Sequence, residues 1–155
     1  VEVREIIDVG DIDDIPPGEY KERVMKNRVG QYFFRMAVLS SYGNKCCITG
    51  MSKSSLLIAS HIKPWNVCDE KTERTNPCNG LCLNSLHDKV FDRGLITLDS
   101  KLRLIVSKEM KNAEMDQQTR DWFYGYEGKQ INLPDKFLPG KSFLEYHNDV
   151  VFWGN

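Results

Sequence analysis

The sequence predicts an α+β domain, in which helices flank short hairpins. Three patterns carry this. Apolar residues between Glu19 and Tyr42 recur near a 3.6-residue period. Two strand-length apolar runs, Leu56–Ala59 and Gly80–Leu83, enclose a polar loop and precede a short helix. Leu95–Leu98 and Leu102–Val106 then alternate about Asp99-Ser100, which reads as an additional β-hairpin.

Residues 1–18 form an acidic linker or arm. Asp8, Asp11, Asp13 and Asp14 crowd it, and Pro16, Pro17 and Gly18 break regular structure. Its aspartates lack the spacing of a calcium-binding loop. The first helix places Val24, Val29, Phe33, Phe34, Ala37 and Val38 on one side and ends at Gly43-Asn44. Arg35 on its apolar face suits a structural ion pair. Cys46–Thr49 reads as a short buried strand or extended segment closed by Gly50. The run through Ala59 delivers Ser60 and His61 to a strand end, and Pro64 stops it. Asn66–Asn76 is a loop, Ser85 an N-cap, and Leu86–Asp92 the short helix with Gly94 behind it. Met110–Tyr126 reads as one helix, Gln130–Pro139 as an extended connection, and Phe143–Phe152 as a terminal helix.

The chain has 155 residues, 41% hydrophobic and 28% charged, as a globular domain with its own core requires. No apolar run approaches the roughly 20 residues of a membrane span. No secretory pattern opens it, so a cytoplasmic location is expected. The first residue is Val1, which suggests a piece of a longer protein. The net charge is −1, so any surface that meets phosphate must be local, as in Lys21–Arg28 or Lys101–Lys111. Five cysteines are present, with no C-x-x-C pair, so a structural zinc is not expected and reduced thiols are.

Chemistry concentrates between Cys46 and Leu98, which hold two of the three histidines, His61 and His87, with Asn79 between them. Four blocks stand in order: C-x-ITG at Cys47–Gly50, ASHI-x-PW at Ala59–Trp65, NP-x-NGL-x-L at Asn76–Leu83 and HD-x-x-FD-x-GLI at His87–Ile96. Together they resemble the HNH nuclease family. Weaker likeness runs from about Arg28 to Phe152, including a terminal L-x-Y-H stretch at Leu144–His147. The resemblance implies a ββα-metal (His-Me finger) core at 46–98 within a nuclease domain spanning 19–155. It implies metal-dependent endonucleolytic hydrolysis of DNA in a restriction or defence protein. Target choice would fall to a recognition domain elsewhere in the longer chain, and cutting both strands suggests a homodimer or successive nicks.

In that reading His61 is the general base, since imidazole accepts a proton near neutral pH. Asn79 fixes the loop that orients it, with Asn76 the rival. His87 is the metal ligand. The family's acidic ligand before the first histidine is replaced by Ser60, a poor ligand for a hard cation. Asp88 and Asp92 are the nearby carboxylates. One divalent ion is expected: Mg²⁺, Mn²⁺ or, given an imidazole ligand, a transition metal such as Ni²⁺. Lys63, Arg74 and Arg93 are candidate phosphate contacts. The alternative is a catalytically inactive HNH-like DNA-binding module. All of this requires His61, Asn79 and His87 to share one pocket.

Overall fold

The computed structural model describes residues 12–154; most of the acidic arm lies outside them. The fold is α+β, and a two-stranded antiparallel hairpin is its centre. β1 (Leu57–His61) pairs with β2 (Gly80–Asn84), Leu57 opposite Asn84 and His61 opposite Gly80. β2 is buried along its whole length, because helices cover the hairpin on both faces. α1 (Glu19–Ser41) lies on one side and α2 (Ser85–Asp92) on the other. Gly80 is the close approach: a Cβ there would meet the Val38 side chain at 2.4 Å. Phe34 and Val38 of α1 therefore sit directly on the strand end.

Each helix ends for a local reason. α1 stops at Gly43 and Asn44, both in the left-handed region (φ 64° and 55°). The N-cap of α2 is Asn84 rather than Ser85: its side-chain oxygen accepts from the backbone N–H of Leu86 and His87. Among the described residues Arg35 makes no ion pair. Its guanidinium donates to the carbonyls of Leu57 (2.6 Å) and Ser54 (3.1 Å), tying α1 to the start of β1.

β3 (Ile96–Leu98) and β4 (Leu104–Val106) form the second hairpin. The expected helix over Met110–Tyr126 is two helices, α3 (Lys108–Lys111) and α4 (Gln117–Tyr124). Ser107 caps the first, and Asp116 opens the second by accepting from Thr119 N–H. Cys46–Thr49 is a set of turns, with Cys47 N–H bonded to the Cys82 carbonyl at 2.8 Å. α5 (Lys141–Tyr146) runs into a π-helical turn, His147–Val151. His147 is buried there, stacked on Phe91 at 3.8 Å, so the terminal segment closes the core over α2. Among the described residues, no helix is long and apolar enough to cross a membrane.

Candidate active site

His61 stands at the end of β1 because Pro64 stops the strand just beyond it. The ring is half-buried, stacked on Phe34 at 4.1 Å and edge-on to Trp65 at 5.6 Å. Its Nε2 lies 2.7 Å from the Arg74 carbonyl. A carbonyl only accepts, so Nε2 carries the proton and Nδ1 keeps its lone pair. Burial pulls the His61 pKa below the usual histidine value, and the bond to Arg74 offsets part of that. The ring is therefore neutral at pH 7, the form that accepts a proton.

The loop that supplies the Arg74 carbonyl is pinned by Asn79. This side chain is fully buried in a short 3-10 turn, Pro77–Asn79. Its oxygen accepts from Lys63 N–H at 2.8 Å, and its amide donates to the Lys63 carbonyl at 3.2 Å. Longer contacts reach Cys68 Sγ and the Glu73 carbonyl. One amide thus fastens both ends of the loop over which His61 is held. Asn76 caps the turn, accepting from Cys78 N–H, and donates to the Thr72 carbonyl at 3.3 Å.

His87 has a different place. It lies three residues beyond Asn84, which pairs with Leu57 at the opposite end of the hairpin from His61. Four residues of strand separate those ends by roughly 13 Å. The ring is fully buried among Trp122, Phe123 and Tyr126. Nε2 donates to the Trp122 carbonyl and Nδ1 accepts from Asn84 Nδ2, each at 2.9 Å. With both nitrogens engaged, no lone pair remains for a metal, and the expected meeting of His61, Asn79 and His87 reduces to the first two. The helix covers the far end of the hairpin because α4, distant in sequence, packs against it.

Ser60, the residue before His61 on β1, points to the other face of the hairpin, the one that α2 covers with its carboxylates. Ser60 is buried and its hydroxyl has no hydrogen-bond partner. Asp88 is the group it faces: the hydroxyl favours the Asp88 carboxylate, although their contact falls short of hydrogen-bond geometry. Asp92 is one helical turn on. Asp92 is exposed, yet crowding by neighbouring protein atoms and the Asp88 charge push its carboxyl up to about 6, and desolvation raises the half-buried Asp88 as well. Two carboxylates held close with an orphaned hydroxyl fit a hard cation that keeps several waters, such as Mg²⁺ or Mn²⁺. Among the described residues, no three His, Cys, Asp or Glu side chains converge as a metal site.

The three candidate phosphate contacts differ. Lys63 is spent on Glu73, at 2.8 and 3.0 Å, and Glu73 also accepts from Asp69 N–H. The pair stiffens the loop. Arg74 lies with its guanidinium 4.9 Å over the Trp65 ring. Arg93 is exposed beyond α2, where its charge favours the Asp92 carboxylate. Sequence patterns gave no sign of Phe34 as the lid on His61, nor of Glu73 as the loop's anchor.

The blocks around this site resemble a known family. Residues 46–99 match the HNH endonuclease family. The HNH segment therefore spans the turns at Cys46, the hairpin, α2 and β3, with His61 and Asn79 inside it. Over 74% of its length the chain also superimposes on a modification-dependent TagI restriction endonuclease, with a TM-score of 0.50 and 15% identity. That likeness is one of fold, and it covers 35% of the TagI chain, about a third of its length. No curated protein matches the chain.

Proposed function

We propose that this chain is the cleavage part of a larger endonuclease, and that it hydrolyses phosphodiester bonds in DNA by attack of water. The carrying observation is the state of His61: neutral, aimed by one carbonyl, with its second nitrogen free. Nδ1 of His61 takes the proton from water as that water attacks the phosphate. Proton transfer leaves an imidazolium whose Nε2–H remains on the Arg74 carbonyl, so the ring does not swing as its charge changes. Asn79 is the positioning residue, because it holds the loop that carries that carbonyl. Asp88 and Asp92, beside Ser60, would hold one Mg²⁺ or Mn²⁺ ion. When bound, such an ion supplies charge neutralisation at the phosphate and at the departing oxygen.

Restriction of foreign or modified DNA, with target choice by a further domain, is the biological reading supported by the TagI likeness. A second copy of the chain would account for cutting both strands.

Nicking of supercoiled plasmid with Mg²⁺ or Mn²⁺ tests the proposal. His61→Ala lowers the single-turnover rate about 10²–10⁴-fold, with unfolding unchanged. Asp88→Asn raises the metal concentration needed for half-maximal rate. DNA binding without nicking under either metal would establish the inactive binding module instead.

A further inference from the structure

A second cleft opens on the same side of the molecule as His61. It encloses 540 Å³ between α1 and the loop that follows β1. Lys26 and Gly30 line its helical wall; Trp65, Glu70, Lys71 and Arg74 line the other. The smaller groove onto which His61 opens, 270 Å³, is bordered by the same Trp65. One indole therefore separates the two spaces.

The charge of the cleft is out of proportion to the chain. Net charge over the whole sequence is −1, yet three cations meet one carboxylate here. Arg74 adds a second signal. Its guanidinium is fixed against Trp65, and its Nε is buried with no hydrogen-bond partner among the described residues. A buried charged N–H left unpaired costs free energy, so such groups ordinarily have an acceptor. Gly30 lets α1 approach the loop closely at the base of the cleft: a Cβ there would meet the Thr75 methyl at 3.2 Å. The volume suits a nucleotide-sized ligand, and cations beside an aromatic face are how proteins grip a strand without reading its sequence.

We propose that this cleft is a subsite for the nucleotide next to the scissile phosphate on the strand being cut. Lys26, Lys71 and Arg74 take its phosphate, and Trp65 packs against its sugar and base. The word scissile rests on the nuclease reading of His61; the binding itself does not.

The test separates the two. Binding of a short fluorescein-labelled DNA duplex is followed by anisotropy, with the His61→Ala protein in EDTA, between about 50 and 200 mM salt. Adding Lys26→Ala and Lys71→Ala weakens binding and flattens the slope of log K against log salt by about two. Lys141→Ala, an exposed lysine on α5, serves as control and leaves the affinity unchanged. Plasmid nicking by the protein with His61 restored is measured in parallel, and there the two lysine changes raise KM and leave kcat. A native slope in the double variant, an equal loss with Lys141→Ala, or no binding of the duplex at all overturns the subsite. A flattened slope without any nicking keeps the subsite and removes the enzyme.

Discussion

The hairpin has a histidine at each end, and the two are handled alike on one nitrogen and oppositely on the other. Nε2 of His61 donates to the Arg74 carbonyl, and Nε2 of His87 donates to the Trp122 carbonyl. His147, farther along the chain, does the same to Phe91. At Nδ1 they part. Asn84 occupies it in His87 and Thr97 reaches it at 2.7 Å in His147, while among the described residues nothing takes it in His61. A carbonyl on Nε2 is therefore not a mark of catalysis in this protein. It is the common way of choosing a tautomer, and the vacant lone pair makes the difference. Burial agrees: His87 and His147 are sealed, whereas His61 borders a groove.

The comparison breaks most visibly at His87. His87→Ala removes a sealed ring and strands Asn84 and the Trp122 carbonyl. It should cost about 2–4 kcal/mol of unfolding free energy, measured by urea denaturation, while the rate per folded molecule stays near native. A collapse of metal-dependent rate in fully folded His87→Ala would return this residue to the metal.

His147 sharpens the same contrast through pH. Burial lowers its pKa to about 4, against 6.5 for an unburied ring. The folded state thus disfavours the proton that the unfolded chain accepts. Stability from this group is whole above pH 6.5 and is lost as pH falls toward 4, by about 3 kcal/mol in all. His61 and His87 add in the same direction, while the raised Asp88 and Asp92 oppose it. The Thr97 hydroxyl faces the ring and donates to the Asn148 side-chain oxygen, and neither group titrates. Comparing urea midpoints across pH 4–7 for the native protein and His147→Gln isolates its share; equal slopes would refute it.

Asn79 gives the smallest effect of the three. Asn79→Ala frees the loop and should lower kcat about 10–100-fold with KM little changed, on the scale of groups that orient a reacting ligand. An unaltered kcat would show that the loop holds His61 without it.

Much of this architecture was legible from periodicity and punctuation. The hairpin, the short helix and the second hairpin stand where alternating residues and Asp99-Ser100 put them, because local pattern decides local structure. What escaped was settled by distant partners. Nothing near His87 announces that Trp122, 35 residues on, will cover it, and a histidine in the first turn of a helix looks free until that wall arrives. Arg35 escaped similarly: its partners are carbonyls, which every residue carries and no pattern can single out. Asn84 was harder still, since both it and Ser85 are good caps and only geometry chooses.

Gly94 carries a last lesson. It sits behind α2 with φ 72°, and a Cβ there would strike the Val151 carbonyl at 2.0 Å. Its own carbonyl receives Trp153 N–H, and the Trp153 carbonyl receives the Ser107 hydroxyl. The tail is thus a clasp over the segment that holds His61 and Asn79, yet it is made roughly fifty residues after that segment ends. At about 5–20 residues per second, a ribosome leaves some 3–10 s in which hairpin and helix exist unclasped. Until Val151 and Trp153 emerge, the hairpin and the helix that follows it lack the cover that Gly94 receives from them.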